Sequence, residues 1–185
     1  MTDNERLAEL LFPNISWTPQ QYEEQYPARQ LPEGARVTRF SPSPTGYLHI
    51  GGLFAAMTAR LTAKATSGVF FLRIEDTDKK REVEGGVTAI VTGLAAFGIT
   101  PDEGITGLGT ESGVYGPYQQ SKRREIYQCF AKELVRQGLA YPCFCTEAEL
   151  TALREQQEAQ AVNKGYYGEW AACRNLAFCE QKQAV

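Results

Sequence analysis

A single histidine occurs in the 185 residues, and it sits in a run suited to holding phosphate. The run is Pro42-Ser43-Pro44-Thr45-Gly46-Tyr47-Leu48-His49-Ile50-Gly51-Gly52. It follows a short strand-like segment, Ala35 to Phe40, and opens a helical one, Leu53 to Thr66. A turn rich in proline and glycine at a helix start exposes unpaired amides, and these and the helix dipole both favour negative charge. A histidine aimed at the same spot can hydrogen-bond a phosphoryl oxygen as its charge changes.

The elements that must position this turn alternate between strand and helix. Leu53, Met57, Leu61 and Ala65 recur every four residues and form one apolar helical stripe, ended by Ser67-Gly68. Val69 to Ile74 reads as a buried strand. A second helix places Val87, Ile90, Val91, Leu94 and Phe97 on one face and closes at Gly98. Strand, helix, strand, helix in this order implies right-handed crossovers and a parallel sheet of doubly wound type with flanking helices.

Pro101 to Pro117 reads as a glycine-rich loop. The next helix is expected to be capped by Ser121, to bury Ile126, Phe130 and Leu134, and to stop at Gly138. Tyr141-Pro142-Cys143-Phe144-Cys145 is extended or turn-like. Thr146 with Glu149 is a capping-box signature for a helix reaching about Gln160. The tail from Asn163 shows no clear period. Residues 1–34 form an N-terminal extension with one short helical stretch, Glu5 to Leu11, then a Pro-, Gln- and Tyr-rich segment expected to act as a packing arm.

A hydrophobic content of 43% with 22% charged residues is ordinary for a globular protein. The net charge of −3 creates no global basic field, and the local clusters Lys79-Lys80-Arg81 and Lys122-Arg123-Arg124 read as solvated surface from composition alone. No apolar stretch approaches bilayer length, so no membrane is expected. The acidic N-terminus is no secretory signal, and five irregularly spaced cysteines argue against a disulfide scaffold. The expected setting is a reducing cytoplasm.

Pro-Ser-Pro-Thr-Gly followed by His-Ile-Gly-Gly resembles the first signature of class I aminoacyl-tRNA synthetases, in the form found in glutamyl-tRNA synthetases. Arg39-Phe40 before it, Arg73-Ile74-Glu75-Asp76-Thr77-Asp78, Tyr118 to Arg123 and Tyr141 to Cys145 are similar to further family segments, so the likeness spans about residues 35 to 176. The resemblance implies a Rossmann-like fold. Residues 35–140 would be the first half of its catalytic domain, and residues 141–185 the incomplete start of a connective, acceptor-binding insertion. It implies an aminoacyl-tRNA ligase whose substrates are L-glutamate, ATP with Mg2+, and tRNA. The amino acid's own carboxylate is the nucleophile there, so catalysis rests on positioning and on stabilising charge at phosphoryl oxygens.

On this resemblance His49 is the catalytic donor to the triphosphate, and ATP lies against His49, Gly51, Gly52 and Thr45. Losing His49 would cost about 2–4 kcal/mol of transition-state stabilisation. Arg39 and Ser43 would meet glutamate's carboxylate oxygens, with Pro42 and Pro44 fixing the turn, and Glu75 would receive its ammonium group. A guanidinium fork suits a carboxylate better than a neutral amide. The end of a parallel strand, where Glu75 falls, is where doubly wound sheets bind ligands. Asp76 and Asp78 read instead as caps for the following helix.

Ser41 stands where the family usually has Ala. Gly52 in place of a second histidine argues against nucleotidylyltransferases, and Ser43-Pro44-Thr45 argues against glutaminyl enzymes, which typically show Glu-Pro-Asn. Cys143, Cys145 and Cys173 are similar to the family's zinc ligands. A fourth ligand is not clear, since Tyr167 lies six residues before Cys173 and Cys179 six after it. A structural zinc site and buried free thiols both stay open. No Lys-Met-Ser-Lys-Ser-type clamp loop occurs, so the chain reads as an N-terminal portion that does not complete the reaction alone and whose exposed sheet edge favours self-association. The alternative is an inactive remnant or an accessory nucleotide- or tRNA-binding module.

Overall fold

The computed structural model describes residues 1–176. In chain order the elements are α1 (Asp3–Leu11), α2 (Pro19–Gln25), β1 (Val37–Phe40), α3 (Ile50–Ala65), β2 (Val69–Leu72), α4 (Gly86–Ala96), β3 (Glu103–Gly107), β4 (Thr110–Ser112), α5 (Arg124–Arg136) and α6 (Glu147–Ala159), with short 3-10 turns before and after the last two helices. The chain divides into two compact units, Tyr22–Ile126 and Met1–Gln21 with the described chain from Tyr127 on.

In the first unit the sheet order is β1-β2-β3-β4. β1 pairs in parallel with β2 from Val37↔Val69 to Phe40↔Leu72, and β2 pairs in parallel with β3. The sheet is therefore α/β, with parallel strands joined through helices as expected; β1, β2 and β3 lie in sequential order, so this part of the chain winds in one direction only, and there is one addition. Glu103 to Ser112, inside the segment read as a loop, forms an antiparallel hairpin that adds β4 to the edge. Three glycines among ten residues hid it, because its only large buried apolar residue is Ile105.

Phe70, Leu72 and Ile74 of the central strand are buried with Ala56 and Ala63 of α3, Ile90 and Leu94 of α4, and Ile99, Ile105 and Tyr118. The apolar stripes are shifted from the expected ones: Leu61 and Phe97 are exposed, and the small Ala56 and Ala63 are the α3 residues fully covered. Small residues there let the helix sit close to the strands.

A strap closes the unit's far edge. Arg29 makes a two-pronged pair with the Glu103 carboxylate, one prong at 2.8 Å, and its guanidinium lies 3.7 Å from the Tyr115 ring centroid. The Tyr118 hydroxyl also donates to Glu103, at 2.6 Å. The Arg29 hydrogen bonds hold the Glu103 carboxyl below its usual range against burial, which opposes them. Burial and the bond to Glu103 push the Tyr118 phenol up to about 12.

In the second unit, Leu7 and Ala8 of α1 are buried with Val135 of α5. Lys132 donates to Glu9 at 2.8 Å and to the Ile15 carbonyl at 2.9 Å, and the Cys129 thiol donates to the Trp17 carbonyl at 3.0 Å. The start of the extension is thus fastened to α5. That helix buries Cys129 and Val135, whereas Phe130 and Leu134 are exposed. Thr2 with Glu5 and Thr146 with Glu149 form capping boxes at α1 and α6. Among the described residues no helix is long and apolar enough to cross a membrane.

Candidate functional site

The signature run leaves the end of β1 and enters α3, as its composition requires. Two backbone hydrogen bonds hold the intervening turn: Glu75 N donates to Pro42 O at 3.0 Å, and Val83 N donates to Pro44 O at 2.9 Å. The turn is therefore fixed to the segment after β2 and to the approach to α4. Pro44 is fully buried, so it supports the turn from behind. A cleft of about 350 Å³ opens on the other side, lined by Phe40, Pro42, Ser43, Thr45, Gly46, Tyr47, Leu48, His49, Gly52 and Ile90.

His49 is the N-cap of α3. Its Nδ1 accepts a hydrogen bond from Gly51 N at 3.1 Å. In the neutral ring that leaves Nε2 as the protonated nitrogen, free to donate into the exposed surroundings. Gly51 permits this fold-back, since a Cβ there would stand 3.0 Å from His49 Cε1. A Cβ at Gly52 would meet Leu48 at 3.0 Å.

Glu75 follows the end of β2 and stands between two guanidinium groups. Its Oε1 lies 3.9 Å from Arg39 and 3.5 Å from Arg73. Arg39 and Glu75 thus place opposite charges side by side at the carboxyl ends of neighbouring parallel strands. Such a pair is complementary to a zwitterion. The structure brings together Arg39, Pro42, Ser43, Thr45, His49, Gly52 and Glu75; Arg73 joins them without having been singled out as a site residue.

Asp76 does not cap α4, whose N-cap is Gly85. Its carboxylate is buried and accepts from Ser121 N at 2.9 Å, Ser121 Oγ at 2.6 Å, Gln119 Nε2 at 2.8 Å and Lys79 Nζ at 3.2 Å. Burial alone would raise its pKa, but the Ser121, Gln119 and Lys79 hydrogen bonds outweigh it and hold the group at about 2. Ser121, expected as a helix cap, spends its hydroxyl on this carboxylate. Asp78 closes a local turn by accepting from Arg81 Nε at 2.6 Å.

A separate cluster lies in the other unit. The sulfur atoms of Cys143, Cys145 and Cys173 all lie within 4.8 Å of one another. Cys145 and Cys173 are 3.7 Å apart, and the Tyr166 hydroxyl is 3.5 Å from Cys145 Sγ. Zinc with sulfur ligands at about 2.3 Å and an oxygen ligand at about 2.0 Å gives tetrahedron edges of roughly 3.8 and 3.5 Å. The donor set fits that metal. The Tyr166 phenol, which also accepts from Cys173 N at 2.9 Å, and the Phe144 amide hold the Cys173 thiol below its usual range. The Tyr166 hydroxyl, seven residues before Cys173, is the oxygen placed beside these sulfurs, with the 3-10 turns at Gly168–Trp170 and Ala172–Asn175 lying between the two residues. Cys179 lies outside the described residues.

A parallel βαβ unit whose glycine-bearing turn opens a helix at the carboxyl ends of its strands is the phosphate-binding half of a doubly wound nucleotide fold. The chain belongs to the family of tRNA synthetases class I (E and Q), catalytic domain, whose profile matches residues 36–183. It is 54% identical over 173 residues to the glutamate–tRNA ligase of Clostridium perfringens (strain 13 / Type A), covering 94% of this chain and 32% of that protein. It is 52% identical over 179 residues to the glutamate–tRNA ligase of Acetivibrio thermocellus, covering 96% of this chain and 33% of the relative. The chain thus spans about a third of the length of these curated relatives. The crystal structure of glutamate–tRNA synthetase from Elizabethkingia anophelis superposes with a TM-score of 0.61 at 43% identity, covering 70% of this chain and 25% of that one.

Proposed function

We propose that this chain carries the glutamate-binding and ATP-binding half-site of a glutamate–tRNA ligase. The observation that supports it most is the joining of Pro42 O to Glu75 N, which sets the phosphate turn against the Arg39–Glu75 charge pair. Arg39 and Ser43 bind glutamate's carboxylate oxygens and Glu75 binds its ammonium. Pro42 and Pro44 shape the turn. ATP, entering as its Mg2+ complex, lies over Thr45, His49, Gly51 and Gly52.

An oxygen of the glutamate α-carboxylate attacks the α-phosphorus. A carbon–oxygen–phosphorus link forms, the bond from the α-phosphorus to the bridging oxygen breaks, and pyrophosphate leaves with that electron pair. His49 Nε2–H donates to the phosphoryl oxygens as charge builds there. Transfer of glutamate to tRNA follows. Zinc, when bound by Cys143, Cys145, Cys173 and Tyr166, supplies a structural cross-link. The protein acts in the cytoplasm. Residues 35–140 are the catalytic half and residues 141–185 begin an acceptor-binding insertion, while residues 1–34 are an N-terminal extension.

The half-site binds ligand but does not turn over alone, and the position of β1 at the edge of the sheet among the described residues, together with exposed Ile50 and Phe54, promotes self-association. ATP–pyrophosphate exchange with glutamate and added tRNA is the test, with the Clostridium perfringens ligase as positive control. No exchange by this chain, alongside calorimetric binding of glutamate or ATP, is the expected result. Loss of both binding events would leave the inactive remnant.

A further inference from the structure

We propose that Asp76 is a positioning residue for Glu75, acting through Ser121 and Gln119 to hold the ammonium-binding carboxylate in place. The proposal rests on the reading of Glu75 given above. Three successive residues after β2 are tied to opposite sides. Ile74 pairs with the incoming 118–120 segment in both directions, N donating to Tyr118 O at 3.0 Å and O accepting from Gln120 N at 2.8 Å. Glu75 N turns the other way and donates to Pro42 O at 3.0 Å. Asp76 then returns to the first side with its side chain, on Ser121 and Gln119.

The peptide that carries Glu75 is therefore clamped between the signature turn and the Asp76 clasp. Four donors, three on Oδ2 and one on Oδ1, hold the Asp76 carboxylate in one orientation. Capping of the next helix does not account for it: α4 begins at Gly86, and its N-cap is Gly85. Releasing the clasp would let Glu75 relax toward Arg73, whose guanidinium is already 3.5 Å away, and its carboxylate would leave the place where an ammonium group is met.

Glutarate separates positioning from folding, because it keeps both carboxylates of glutamate and lacks the ammonium. L-glutamate and glutarate are titrated calorimetrically into the full chain and its variants, each shown folded by its thermal transition. The unaltered chain prefers glutamate, and Glu75→Gln erases the preference. Asp76→Asn and Ser121→Ala are expected to cut the preference about tenfold, the scale of one hydrogen bond to a charged group, with glutarate affinity unchanged. Ser121→Thr, which keeps the hydroxyl, restores it. If Asp76→Asn does not fold, the Ser121 pair decides.

Full preference in folded Asp76→Asn or Ser121→Ala, or equal loss of both ligands, overturns the positioning role while leaving Glu75 in its own. Preference that survives Glu75→Gln, or no glutamate binding by the unaltered chain, overturns the underlying reading and this proposal with it.

Discussion

Gly86, the first residue of α4, lies against the carbonyl oxygen of Pro44: a Cβ at position 86 would stand 2.9 Å from that oxygen and 3.1 Å from the proline Cβ. The obstacle is backbone, already fixed by the bond from Val83 N. Alanine is the better helix former by up to about 1 kcal/mol, but overpacking a closed contact costs about 1–3 kcal/mol. Gly86→Ala is therefore expected to lower the thermal midpoint and weaken ATP binding together. Gly93→Ala on the same helix is the control, since its Cβ would meet Leu48 at an ordinary 3.4 Å and the midpoint should hold or rise. An unchanged midpoint in Gly86→Ala would show that the turn yields freely.

His49 carries two duties that substitution can separate. As N-cap it closes the start of α3 through Gly51 N, and its other nitrogen faces outward. His49→Ala should lose about 1 kcal/mol of stability with the cap. His49→Asn keeps a capping acceptor, so urea denaturation should place it within a few tenths of a kcal/mol of the parent chain. Both variants should lose ATP affinity in calorimetry. An Asn variant that binds ATP as well as the parent would remove the imidazole from the phosphate site.

The signature turn was legible because its neighbours carry strong local signals. β1, β2, α3, α4 and α6 follow from periodicity, glycine stops and a capping box. What escaped depends on partners far along the chain. Arg29 meets Glu103 across 74 residues, and Asp76 meets Ser121 across 45, spacings that no local pattern encodes. Tyr166 escaped for a different reason. Seven residues look too many for neighbouring ligands until two 3-10 turns shorten the path to Cys173. In α5 the four-residue rhythm of Ile126, Phe130 and Leu134 is real, yet Cys129 and Val135 face inward, because the extension docks on that side.

The sulfur cluster predicts metal dependence. The purified chain should hold about one equivalent of zinc, and excess zinc at about 100 times its dissociation constant would stabilise the fold by about 2.7 kcal/mol. A chelator should lower the thermal midpoint of the parent but not of Cys145→Ser. Tyr166→Phe keeps the three thiols and removes the oxygen, so it should bind zinc more weakly without abolishing binding. A metal-free preparation whose melting a chelator and added zinc both leave unchanged would exclude the site.

Asp76 makes the fold acid-sensitive in a defined window. Its carboxyl titrates at about 2 in the folded chain against an ordinary 3.8. A group depressed on folding contributes stability that is present above the unfolded value and is lost as pH falls through the folded one. The difference is worth about 2 kcal/mol, so the loss should run from about pH 4 down to about pH 2. Glu103, also held low by Arg29, steepens the same acid limb. Asp76→Asn removes the titrating carboxyl and leaves an amide facing the donors of Ser121 and Gln119. It should be less stable than the parent at neutral pH, and the two curves should converge as acid protonates the parent's Asp76. Urea denaturation across that range is the measurement. Parallel curves, with a constant gap at every pH, would mean that Asp76 is not the group being titrated.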